Sequence, residues 1–241
     1  MQNLCEFIFH NVGQGLFYSG KINDLNFIYD CGSENYKNIK KAVTEFITYL
    51  KGKIRIDLLI LSHLHYDHVS GLELLLKKCE IETVILPYIA LEERLLIAVR
   101  WNYLKQEWYF NFLNNPTQYF EGHGVKRIIY VTAENDDYWE NSDNQFGDHD
   151  SKLSIKLIKS RKAFENNLKS LKVDIYNHYG KIEYRNIWVF NLHCFEVNIE
   201  IMQKFKSELK REKLYNIENI KDLILDNENR KKLKECYQKV V

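Results

Sequence analysis

The chain has 241 residues, a net charge of +1 and 45% hydrophobic against 28% charged residues, the make-up of a folded protein with one large core or two small ones. The charge balance excludes a global field drawing it to nucleic acid or an anionic membrane, so a polyanionic substrate would need a local basic patch. No run approaches the roughly 18 apolar residues of a membrane span, and Met1 to Phe9 lacks a basic segment leading into an apolar one, so a cytoplasmic protein without a membrane partner is expected.

Leu4 to Asn11, Leu16 to Ser19 and Asn26 to Asp30 read as three strands of an antiparallel start, with Val12-Gly13-Gln14-Gly15 as a turn. From Asn38 to Leu50, Ile39, Val43, Phe46, Ile47 and Leu50 recur at helical spacing. Ile56 to Leu61 is too short and too apolar for a surface helix and predicts a buried strand stopping at Ser62. Leu72 to Lys78 reads as a helix, Thr83 to Leu86 as a strand, Leu91 to Leu113 as one long helical segment, and Lys126 to Val131 as the next strand.

Between Glu134 and Asp150 lie seven carboxylates and few apolar residues, the composition of a solvated loop. Short strands follow at Leu153 to Ile158, Val173 to Tyr176 and Trp188 to Phe190, and Val197 to Val241 is charged and helical. The expected division is a β-rich domain over 1–195 and a helical extension over 196–241. In that extension Ile199, Met202, Phe205 and Leu209 form an apolar stripe, fit for a core or for a protein partner. Five cysteines (Cys5, Cys31, Cys79, Cys194, Cys236) are never spaced as a metal-binding pair, which fits reduced packing thiols.

The chemistry gathers in Ser62-His63-Leu64-His65-Tyr66-Asp67-His68-Val69-Ser70-Gly71, three imidazoles and a carboxylate within six residues of a strand end. His63 and His65, two apart in extended backbone, can converge on one ion, while Asp67 and His68, one turn further on, can reach a second. Imidazole and carboxylate without thiolate favour zinc, with manganese or iron(II) as alternatives.

His-x-His-x-Asp-His after an apolar strand, followed by a small residue and Gly, resembles the motif of the metallo-β-lactamase superfamily. Asn11-Val12-Gly13-Gln14-Gly15 and Phe27-Ile28-Tyr29-Asp30-Cys31-Gly32 resemble the opening strands of its competence-protein branch, over roughly residues 4 to 90. Leu16 departs from that branch, where an acidic residue is usual, and His65 stands where the branch often has Asp. The resemblance implies an αββα sandwich of the α/β class, a metal-dependent hydrolase with zinc, two ions in the full site, and a metal-activated hydroxide oriented by Asp67. It places Asp30 beside the metal, orienting a ligand imidazole without binding the ion.

The superfamily adds a later His, a bridging Asp and a last His. Of His10, His123, His149, His178 and His193, His149 in Gly147-Asp148-His149-Asp150 has the most ligand-like context; the bridging Asp has no candidate. The second half of the fold is therefore expected to be incomplete, with the chain truncated or completed by another polypeptide. The competence-like opening tilts the substrate towards phosphodiesters or nucleic acid, which Lys77, Lys78, Arg94 and Arg100 could meet. The rival readings are a catalytically weakened binding module and a redox di-iron protein; the latter typically has Glu at the position of His65.

Overall fold

A computed structural model describes residues 4–50, 54–101, 106–133, 153–156, 172–177, 180–194, 198–215 and 219–240. Strands β1 (Cys5–Phe9), β2 (Phe17–Ile22) and β3 (Leu25–Cys31) form the antiparallel start. β4 (Ile54–Ile60), β5 (Cys79–Pro87), β6 (Arg127–Thr132) and β8 (Lys172–Asn177) continue the sheet in parallel, in the order β1-β2-β3-β4-β5-β6-β8. Parallel pairing needs crossovers. Helix α1 (Tyr36–Leu50) joins β3 to β4, and α2 (Tyr66–Val69) with α3 (Leu72–Lys78) joins β4 to β5. Helices α4 (Leu91–Arg100), α5 (Glu107–Asn114) and α6 (Pro116–Gly122) join β5 to β6.

β4 is covered on both faces, which is why its sequence is an apolar run and not an alternation. Leu59 and Leu61 lie in the core beneath the helices. Leu58 and Ile60, with Ile85, Ile129 and Val131, lie in a second core against a smaller sheet. That sheet is β7 (Leu153–Lys156), β9 (Lys181–Tyr184) and β10 (Trp188–Asn191), in the order β10-β9-β7 and antiparallel. The helix, sheet and sheet layers are consistent with the αββα sandwich, three of whose four layers are seen among the described residues. The chain's own Leu153, Ile182, Tyr184 and Leu192 pack against the apolar face of the large sheet, supplying a three-stranded part of the second half.

The segment Leu91 to Leu113 is not one helix. Trp101 ends α4 with non-helical torsions (φ −101°, ψ 13°) and buries its ring, while Gln106 starts α5. Helices α7 (Ile199–Arg211), α8 (Ile220–Leu225) and α9 (Asn227–Gln238) begin on side-chain caps from Asn198, Asn219 and Asp226. Met202, Phe205 and Leu209 sink into the core that α4 and α5 share, joined by Ile220, Ile224, Leu233 and Cys236. The stripe read as fit for a core or a partner is thus mainly core, with Ile199 alone of its four residues exposed. None of the described helices is long and apolar enough to cross a membrane. The acidic segment Glu134 to Asp150 lies outside the described residues.

Candidate metal centre

The ligand loop leaves the C-terminal end of β4, the edge where open parallel sheets hold their ligands. Two backbone segments pack against it so closely that each requires glycine. At Gly32 a Cβ would stand 2.3 Å from the carbonyl carbon of His68; at Gly15, which has φ +131°, it would stand 2.4 Å from the Asp67 carbonyl oxygen. The Ser70 hydroxyl accepts from the Ser33 amide and donates to the Ser33 carbonyl, both at 2.8 Å, and Ser33 Oγ donates to the Val12 carbonyl at 2.6 Å. The turn at Val12 to Gly15 and the segment Asp30 to Ser33 are therefore the bed of the loop. From the helix side, Tyr109 donates to the Leu64 carbonyl at 2.9 Å.

Asp30 is fully buried, with a left-handed backbone (φ +54°) that Asp tolerates better than most residues. Its Oδ1 accepts from the Ser62 amide at 2.7 Å; its Oδ2 accepts from Ser62 Oγ at 2.5 Å and from His68 Nδ1 at 2.8 Å. A carboxylate only accepts, so the His68 proton sits on Nδ1 and the Nε2 lone pair faces outward. Ser62 spends its one hydroxyl hydrogen on Asp30, so at 2.8 Å its oxygen accepts from His63 Nδ1. His63 is thereby held in the same tautomer. Asp30 thus fixes two imidazoles, one directly and one through Ser62.

Ligand atoms of His63, His65 and Asp67 lie within 4.8 Å of one another, as do those of Asp30, His63 and His68. Sequence spacing pairs Asp67 with His68; the structure groups Asp67 with His63 and His65 and also puts its Oδ2 3.6 Å from His68 Nε2. Asp67 Oδ1 is buried with no hydrogen-bond partner, a costly state for a carboxylate oxygen. An orphaned carboxylate among imidazoles is the donor set a zinc ion fits.

The electrostatics agree. Burial, with repulsion from His68, lowers the pKa of His63; burial, with His63 and Arg100, brings that of His65 down to about 4. Both are neutral at pH 7, as ligands must be. Burial alone would lower the pKa of His68, but its hydrogen bond to Asp30 and the charges of Asp30 and Asp67 outweigh that and raise it.

A cavity of about 360 Å³ opens beside His63, walled by Tyr29, Ile60, Tyr88, Val131 and Leu192 and reached by His193. His193, set aside in the sequence, sits there because β9 and β10 form a hairpin. Its loop places Arg185 and Asn186 at positive φ without a glycine, so the turn that exposes the hairpin carries little sequence signal. His149 and His178 lie outside the described residues. His10 bonds Ser19 and His123 bonds a backbone carbonyl, both as structural groups. Of the four bases, Arg94 lines a neighbouring cavity and Arg100 acts on His63 and His65. Lys77 and Lys78 end α3 at the start of β5, opposite the end at Pro87 that borders the His63 cavity.

Ser62 carries no motif-level signal, yet it links Asp30 to His63. Ser62→Ala is expected to weaken zinc affinity about 10- to 100-fold, the usual effect of losing a group that orients a ligand, with the fold retained. Competition with a chromogenic chelator measures it; unchanged affinity would contradict the relay.

A family model described as the metallo-beta-lactamase superfamily matches residues 16–156, more than half of the chain, with the ligand loop inside the match. No curated protein matches the chain. With the layered fold and the histidine and aspartate cluster at the strand ends, the match establishes that this chain belongs to the metallo-beta-lactamase superfamily.

Proposed function

We propose that the chain is a zinc-dependent hydrolase of phosphodiesters, working in the cytoplasm and nearest to the competence-protein branch of its superfamily. The observation that carries the reading is the buried, unpartnered Asp67 Oδ1 among His63, His65 and His68. His63, His65, Asp67 and His68 would hold the metal, with manganese or iron(II) as alternatives; the second ion of the full site would draw on Asp67 and His68. Bound there, zinc supplies Lewis-acid activation of water and of the attacked phosphoryl group.

The chain's own residues do the rest. Asp30 and Ser62 keep His63 and His68 presenting Nε2. Asp67 has its Oδ2 towards His68 and its Oδ1 left to the metal, which suits it to orient the attacking water. The cavity beside His63 mixes polar groups with apolar walls that include two tyrosines, Tyr29 and Tyr88, a surface on which a nucleobase or aryl group stacks. Five free cysteines fit a reducing compartment.

Metal-loaded protein should hydrolyse bis(p-nitrophenyl) phosphate and lose that activity to a chelator, with recovery on adding zinc. Tight zinc binding without hydrolysis of this or any dinucleotide would favour the binding-module reading and overturn the enzymatic one.

A further inference from the structure

We propose that the cavity around Arg94 is a phosphate-binding site separate from the metal ligands, which takes a second phosphate group of the substrate. Arg94 lines a cavity of about 420 Å³ together with Leu64, Tyr88, Thr117 and Tyr130. Its Nη1 donates to the carbonyls of Leu113 and Asn114, at 2.7 Å each, closing the end of α5. Its Nε is buried without a hydrogen-bond partner, and among the described residues its hydrogen bonds go to the two carbonyls alone, with Glu92 and Glu93 felt by the guanidinium only through space. Glu92, the carboxylate on the same wall, is engaged by Lys206 at 3.3 Å. Burial pulls the pKa of Arg94 down from its usual value.

Closing α5 occupies one nitrogen of the fork. The remainder is a half-buried cation with no carboxylate among the described residues hydrogen-bonded to it, Glu92 and Glu93 acting on it only through space, and a bound anion would complete it. A guanidinium fork matches the oxygens of phosphate or carboxylate, and two features select phosphate. Helix α4 starts at Ala90 with no side chain accepting from its first amides, and Ala90 and Leu91 lie on the cavity wall, where those amides favour an anion of several oxygens. The hydroxyls of Thr117 and Tyr130, 2.8 Å apart, line the same space.

The position relative to the ligand loop gives the site its use. Pro87, Tyr88 and Ile89 border both this cavity and the one beside His63, and Leu64, between His63 and His65, lines the Arg94 side. A substrate with phosphates on successive units can lay one at the ligand loop and the next at Arg94. The inference rests on the phosphodiesterase reading for the carrier of the phosphate, but phosphate binding at Arg94 requires no metal, so the two can fail separately.

Inorganic phosphate is titrated calorimetrically into the metal-loaded protein, the His63→Ala/His65→Ala double variant, Arg94→Gln and Ala90→Asp. Asp is a favoured helix cap, so Ala90→Asp folds at least as well as the parent while adding negative charge at the cavity. Phosphate should bind the double variant, and both cavity variants should lose that site's affinity by at least about tenfold. In a second arm, Arg94→Gln should raise KM about tenfold for a dinucleotide carrying a 5′-phosphate, with kcat kept and no change for the same dinucleotide without it. That arm separates substrate-borne from free phosphate. Equal phosphate affinity in the parent and both cavity variants, or binding that vanishes in the double histidine variant, would overturn the site. A parent without hydrolysis would overturn the phosphodiesterase reading alone, and the titration would still decide Arg94.

Discussion

Asp67→Asn is expected to lower turnover by about 10³-fold or more while making the metal-free protein more stable. Both effects have one cause. Without metal, the buried Oδ1 of Asp67 has no partner and burial lowers the pKa of His63 and His65 beside it, while His68, whose pKa is raised, faces only the other oxygen at 3.6 Å. Replacing the charge with an amide should therefore stabilise the metal-free fold by about 1 kcal/mol, or roughly 2–4 °C in Tm for a chain of this size. With zinc the order reverses, because binding stabilises the native state in proportion to affinity and the variant has lost a charged ligand. Thermal unfolding in chelator and in excess zinc, beside a turnover assay, checks both signs. A variant that keeps full turnover, or that loses stability in chelator, would contradict the role given to Asp67.

Asp30→Asn carries the largest expected cost in stability. Three donors converge on the carboxylate, the amide and hydroxyl of Ser62 and the Nδ1 of His68, in a fully buried place. An asparagine has one acceptor oxygen and turns an NH2 towards a donor, so at least one buried donor loses its partner. Breaking such a charged network costs about 3 kcal/mol or more, roughly 6–12 °C in Tm. Asn tolerates the left-handed backbone as Asp does, so strain does not confuse the reading; Asp30→Ala adds that strain. Zinc affinity should fall about 10- to 100-fold. Unchanged Tm and unchanged affinity would show that the three hydrogen bonds are incidental.

The ligand loop was legible because four ligand-type residues in six, directly after an apolar strand, have no packing explanation. The parallel strands β4, β5 and β6 were legible through their apolar runs, though β5 (Cys79–Pro87) is longer than its reading because its first residues are mixed in character. Asp30 was visible by resemblance; the relay through Ser62 was not, since a serine at a strand end looks like any other. His193 escaped because its place depends on the hairpin of β9 and β10, whose turn has Arg185-Asn186 in place of an Asn-Gly. The tail stripe of Met202, Phe205 and Leu209 had the correct period, but a helical period does not distinguish a core from a docking face. Its destination is set by the apolar surface of α4 and α5, far earlier in the chain.

Metal content tests the central claim most directly. Purified protein equilibrated with zinc and then desalted is measured by mass spectrometry of the metal, for the wild type and for His63→Ala/His65→Ala. The account predicts at least about one tightly held equivalent per chain in the wild type, from a site with imidazole and carboxylate ligands, and loss of that equivalent in a double variant that still folds. The same stoichiometry in both proteins would contradict it.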